Sequence, residues 1–94
     1  MLIIAGHLIV DPADRDGFVA DAAGAVEAAR GAPGCRDFAV TADSVDPSMV
    51  RIFERWDDEG DLLAFRGSGP SEEQQTVIVD ADVRRYLISS MGDA

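Results

Sequence analysis

Lysine and asparagine are absent from this 94-residue chain, and cysteine, histidine, tryptophan and tyrosine each occur once. The single Cys35 excludes an internal disulfide, and with one His7 beside it no Cys/His zinc cage can be built. Positive charge is scarce. Eight arginines face eighteen Asp and Glu, a formal net charge of −10. Such a surface repels nucleic-acid phosphates and anionic lipid head groups, so neither nucleic acid nor a membrane is an expected partner. No hydrophobic run is long enough to span a bilayer, and no phosphate-cradling glycine loop follows a strand. The apolar start, Met1 to Val10, lacks a basic leader and a cleavage site, and Asp11, Asp14 and Asp16 follow it. A cytoplasmic address is expected. The length fits one domain, 1–94, which buries only about 60 to 70% of its unfolded surface. Help from a partner chain is a reasonable expectation.

What is present has a clear rhythm. MLIIAGHLIV, Met1 to Val10, is apolar on both parities: Ile3, Ala5 and Ile9 flank His7, while Leu2, Ile4, Leu8 and Val10 alternate with them. Both faces ask to be buried, as in the centre of a covered sheet. Asp11-Pro12 reads as an N-cap with proline at the first helical position. Phe18, Ala22, Val26 and Ala29 then recur at helical spacing from about Asp14 to Arg30, until Gly31, Pro33 and Gly34 stop the helix. A second strand fits Cys35 to Ala42, and Asp43 to Ser48 is a turn. A third strand spans Met49 to Trp56, with Val50, Ile52, Glu54 and Trp56 on one face. Asp57 to Arg66 reads as a short helix broken by Gly67 to Pro70. Ser71 and Gln74 suit a capping box for a further turn. Thr76 to Val79 is ambiguous between helix end and strand, and the last strand is expected at about Val83 to Ser90.

The order strand, helix, strand, strand, helix, strand predicts an α+β, ferredoxin-like split βαβ fold with a four-stranded antiparallel sheet. Its helices can cover only one side of the first strand. At about 25 cal/mol per Å² of apolar surface, leaving the other side wet costs several kcal/mol. A homodimer packed through its sheet faces is therefore expected. The alternative is a monomer in which the Thr76 to Val79 region folds over the open face.

Four stretches, VDPADRDGF (Val10 to Phe18), APGCRDFAV (Ala32 to Val40), VDPSMVRIFERW (Val45 to Trp56) and DADVRRY (Asp80 to Tyr86), give the chain a family likeness. It resembles the antibiotic biosynthesis monooxygenase family of the dimeric α+β barrel superfamily. The resemblance implies one pocket per subunit between sheet and helices. It also implies a cofactor-independent monooxygenase or quinol oxidase, with neither cofactor nor metal, that acts with O2 on a small or polycyclic aromatic phenol. Two other function classes stand beside it: a non-catalytic dimer that binds a hydrophobic metabolite, and a lyase or isomerase of the same superfamily.

His7 is the first catalytic candidate, because imidazole is a usable base near neutrality. It falls where haem-degrading relatives place a pocket Asn, which implies that it faces the helices. The other reading is a core histidine bonded to a carbonyl or carboxylate. Trp56, Phe38 and Phe65 are candidates to line an aromatic substrate, or else to pack the core. Tyr86 can donate a hydrogen bond to a substrate oxygen, and Arg85 can steady a phenolate or pair with a carboxylate. Glu54 reads as an ion-pair partner or capping residue, and Cys35 as a small buried hydrophobe. Relatives carry histidines after the tryptophan where this chain has Leu63-Ala64-Phe65 and Gly69-Pro70-Ser71. The Asn, Trp and His of haem-degrading members would fall on His7, Phe65 and a stretch near Gln75 that has no histidine, so haem degradation is not expected.

Overall fold

The first strand, β1 (Leu2–Val10), occupies an interior position between two partners in a four-stranded sheet of order β2-β3-β1-β4. The computed structural model describes residues 1–67 and 77–94. The remaining elements are α1 (Pro12–Arg30), β2 (Cys35–Ala42), β3 (Met49–Trp56), α2 (Glu59–Arg66) and β4 (Ile78–Leu87). All three strand pairs are antiparallel, and the α+β ferredoxin-like expectation holds. Among the described residues no helix is long and apolar enough to cross a membrane.

Local chemistry sets most boundaries. The Asp11 carboxylate accepts from the Ala13 amide at 2.9 Å, and Pro12 opens α1 with no amide to satisfy. Asp58 caps α2 by accepting from the Asp61 amide at 2.8 Å. That helix consequently starts at Glu59, two residues later than the sequence suggests. At the end of α1, Gly34 adopts φ +79°, a left-handed conformation that opens the turn into β2. The Asp43 to Ser48 turn is organised by two carboxylates. Asp43 accepts from the amides of Val45 and Asp46, and Asp46 accepts from the amide and hydroxyl of Ser48. Arg15 of α1 donates to the carbonyls of Asp43 and Asp46, fastening the turn to the helix.

The last strand is displaced from its expected position. β4 begins at Ile78 rather than Val83 and ends at Leu87 rather than Ser90. Its length is set by β1, which it follows from Val10↔Ile78 to Leu2↔Leu87. Asp80-Ala81-Asp82 has little strand propensity of its own, so the pairing partner decides its conformation. Ile78 pairs with Val10, and Val79 is the extra residue of a bulge within β4, so neither folds across the open sheet face. The proposed capping box at Ser71 and Gln74, with Gln75 and Thr76, lies outside the described residues.

Burial separates the two parities of β1. Leu2, Ile4 and Val10 are buried beneath the helices, in a core with Ala29, Phe38, Val50, Trp56 and Leu62. Ile3, Ala5, His7 and Ile9 point to the opposite face, where they are half-buried between their neighbours. Phe53 and Tyr86 project from that same face, beside Ala5 and Ile3 respectively. The molecule is 19 Å across its short axis, room for one sheet and one helix layer.

Candidate functional site

The helix-covered face of the sheet holds an aromatic cluster. Trp56 at the end of β3, Phe38 of β2 and Phe65 of α2 meet with ring centroids 6.5 Å (Phe38–Trp56), 5.7 Å (Phe38–Phe65) and 5.6 Å (Trp56–Phe65) apart. The two contacts of Phe38 are edge-to-face, the arrangement favoured by ring quadrupoles. Trp56 is fully enclosed and Phe65 only half-buried. Phe65 also forms a wall of a hollow of about 360 Å³ between the end of α1 and α2, with Ala28, Ala32, Pro33, Asp61 and Ala64 as its other walls. That volume lies within the range of small-molecule sites.

Glu54 is the buried polar residue of this region, 7% exposed. The Trp56 indole Nε1–H donates to Glu54 Oε1 at 3.0 Å. Burial pushes the Glu54 carboxyl above its ordinary range, while the indole hydrogen bond and the more distant Arg66 pull it back. No ion pair to Glu54 forms among the described residues, so it is an indole acceptor and not the salt-bridge partner its sequence context suggested. The alternation Val50, Ile52, Glu54, Trp56 already placed it on this face. The signal was in the pattern, but its chemical weight appears only with burial.

The six sequence candidates divide between two faces. Phe38, Trp56, Phe65 and Arg85 lie on the helix side. Arg85 sits across β1 from Glu54, both opposite Ile4, and donates to Glu59 at the start of α2. His7 and Tyr86 lie on the other side. His7 is opposite Arg51 and Asp82, both exposed, and Tyr86 is opposite Ile3. The expectation that His7 faces the helices is therefore corrected. Side chains alternate strictly along a strand, and the burial of Leu2, Ile4 and Val10 under the helices assigns the odd positions to the open face. Cys35 is half-buried and free, and burial raises its thiol above the ordinary range.

Around the second helix, carboxylates crowd. Asp57 is held low by a two-pronged contact with Arg36, at 2.7 and 3.1 Å. Asp61, by contrast, is raised by desolvation and by the neighbouring Asp58 and Asp57. Among the described residues no group of three or more His, Cys, Asp or Glu is gathered where it could hold a metal ion.

Solved structures share this architecture. A Deinococcus radiodurans protein provisionally named an antibiotic biosynthesis monooxygenase superposes with TM-score 0.79 at 19% identity, over 100% of this chain and 98% of its own. Rv0793 from Mycobacterium tuberculosis gives 0.79 at 18% identity, over 98% of both chains. PA3566 from Pseudomonas aeruginosa gives 0.77 at 14% identity, over 95% and 94%. At such identities the likeness speaks for the fold alone. No curated protein matches the sequence. The family profile described as antibiotic biosynthesis monooxygenase matches residues 1–77, most of the chain including its aromatic cluster and buried carboxylate, and the chain belongs to that family.

Proposed function

We propose that this protein is a cofactor-independent monooxygenase or quinol oxidase that uses dioxygen on a small or polycyclic aromatic phenol. Family membership supports a monooxygenase-type activity in general. The observation that carries the narrower reading is the Phe38, Trp56 and Phe65 cluster on the helix side, with the half-buried Phe65 also lining the hollow. A flat aromatic ring in the hollow meets the Phe65 ring, a contact of about 0.5 to 1.5 kcal/mol beyond area burial, with Phe38 and Trp56 enclosed behind it.

The substrate does the redox work. Once a phenolic or enolic proton leaves, its electron-rich anion reduces dioxygen. For an anthrone, the ring CH2 becomes C=O, one oxygen atom enters the product, and the other leaves as water. For a quinol, two electrons and two protons pass to dioxygen, giving quinone and hydrogen peroxide. The protein then has to bind the ring, exclude water and manage one proton. Arg85, on the same face, steadies the phenolate oxygen. His7 and Tyr86, on the opposite face, take no part on this side of the sheet.

The working unit of this reading is a homodimer through the open sheet faces, where Ile3, Ala5, Ile9 and Phe53 supply apolar surface. The unpaired Cys35 suits a reducing cytoplasm. The test is dioxygen consumption with a panel of anthrones and quinols, with the quinone product identified by its spectrum. Consumption above the uncatalysed rate, with quinone formed in proportion, is expected. Rates equal to the uncatalysed control across the panel would overturn the proposal in favour of a metabolite-binding dimer or an isomerase.

A further inference from the structure

The hollow beside Phe65 exists because its walls are short. Ala28 and Ala32 stand one helical repeat apart at the end of α1, Pro33 follows them, and Ala64 lines it from α2. Methyl groups at these positions leave about 360 Å³ between the two helices. Among the described lining residues Phe65 is the one aromatic wall and Asp61 the one charged group. The two are four residues apart on α2, so ring and carboxylate share one face of that helix.

Asp61 is half-buried and closely seated. Its carboxyl group lies against Gly34, where a Cβ would overlap it. Gly34 thus serves twice, by taking φ +79° and by leaving room for Asp61. The surrounding carboxylates are already engaged. Asp57 is paired with Arg36, Glu59 with Arg85, and Asp58 caps α2 through the Asp61 amide. Among the described residues Asp61 pairs with no cation. Desolvation, with Asp58 and Asp57 nearby, raises its carboxyl and strengthens it as a hydrogen-bond acceptor.

We infer that the hollow takes a neutral aromatic phenol, its ring against Phe65 and its hydroxyl donating to the Asp61 carboxylate, and rejects rings that bear a carboxylate. The inference rests on the phenol-oxidising reading above for the kind of ring, and assigns the group that holds its hydroxyl. Charge complementarity favours this occupant. An anion entering the hollow meets Asp61 with no basic lining residue to offset it, whereas a hydroxyl brings the donor that Asp61 lacks. When that hydroxyl ionises, its O–H bond breaks, the proton passes to Asp61, and the electron pair stays on the phenolate oxygen. The net charge in the hollow is the same before and after.

The test uses three ligands of one ring system, 2-naphthol, 2-methoxynaphthalene and 2-naphthoate, followed through the alanine methyl NMR signals of the whole protein. Ring currents from a seated naphthalene should shift the methyls of Ala28, Ala32 and Ala64 and leave those of Ala20 and Ala23, exposed on α1, in place. Naphthol should bind about tenfold tighter than its methyl ether, the low end for a hydrogen bond to a charged group, although the ether is the more apolar ligand. Naphthoate should leave the three methyls unmoved. In Asp61→Asn the preference for naphthol should shrink to about threefold, and naphthoate should gain binding, because an amide can donate to it. Ala28→Leu, at an exposed helical position, should fill the hollow and abolish the shifts of Ala32 and Ala64 in a folded protein.

No shift at these methyls with any ligand, or shifts confined to Ala5 and Ala39 of the open face, overturns the hollow as the site. Equal affinity for naphthol and its ether, or an unchanged order in Asp61→Asn, overturns the role of Asp61. Dioxygen consumption with anthrones or quinols in either case leaves the oxygenase reading standing. Naphthol seated as expected in a protein that consumes no dioxygen refutes that reading and keeps the hollow as a phenol-binding site.

Discussion

Gly6 in the middle of β1 is the position where one methyl group should do most damage. Its φ is +153°, and a Cβ built there would lie 1.9 Å from the Asp82 carbonyl oxygen and 2.8 Å from Val83 Cα. Both obstacles are backbone atoms of β4, so no side-chain rotation relieves them. The two strands must part by more than an ångström, or the Gly6 peptide must reorient. Parting weakens two or so neighbouring ladder hydrogen bonds, at about 0.5 to 1.5 kcal/mol each. The unfavourable φ adds about 1 to 2 kcal/mol for a residue with a Cβ. Gly6→Ala should therefore cost about 2 to 5 kcal/mol, a large part of the ~5 to 15 kcal/mol that stabilises a domain. Urea unfolding followed by Trp56 fluorescence, at matched protein concentration, reads this directly. Gly24→Ala is the control. It lies within α1 with open space around it, and alanine there should stabilise by about 0.5 to 1 kcal/mol. A Gly6→Ala protein within about 0.5 kcal/mol of wild type would refute the account of how β4 docks on β1.

Leu62 and Leu63 are adjacent in α2 but 0% and 56% exposed, so Leu62→Ala should cost about 2 to 5 kcal/mol by thermal or urea unfolding and Leu63→Ala under about 0.5. Asp43, held to about 2 by the Asp46 and Val45 amides and by Arg51, has a folded-state pKa below its unfolded value of about 3.9. Its stabilisation is thus complete above the unfolded pKa and is lost as pH falls toward 2. Asp43→Asn should be less stable than wild type at neutral pH, and the gap should close on acidification, as pH-dependent urea titrations will show. His7→Ala should leave dioxygen uptake with a competent phenol unchanged, because the sheet separates it from the aromatic cluster. A collapse of kcat in that variant would move the reacting site to the open face.

Much of this architecture is legible before folding is considered. β2 and β3 have the boundaries their alternation implies, because Phe38, Val40, Val50, Ile52 and Trp56 repeat with the period of the pleat. The stop of α1 is written in Gly31, Pro33 and Gly34. β4 was harder, since an edge strand rich in Asp and Arg carries little hydrophobic signal and takes its span from its neighbour. The aromatic members of the candidate site were visible as residues. Their meeting was not, because Phe38 and Phe65 lie on elements separated by the whole of β3 and its turns.

His7 and Glu54 show where reading along the chain stops. Each is the lone ionisable residue on one otherwise apolar face of its strand, and pattern alone treats them alike. The hydrophobic rhythm determined by itself that β1 has two apolar faces and that β3 sets Glu54 on the same side as Trp56. Which of those faces lies beneath the helices depends on how α1 and α2 pack across the sheet, and that is a property of distant contacts. Only that packing puts His7 on the open side and encloses Glu54 beside an indole. The cost of desolvating a charge, which is what gives Glu54 its chemistry, exists only once those layers have closed over it.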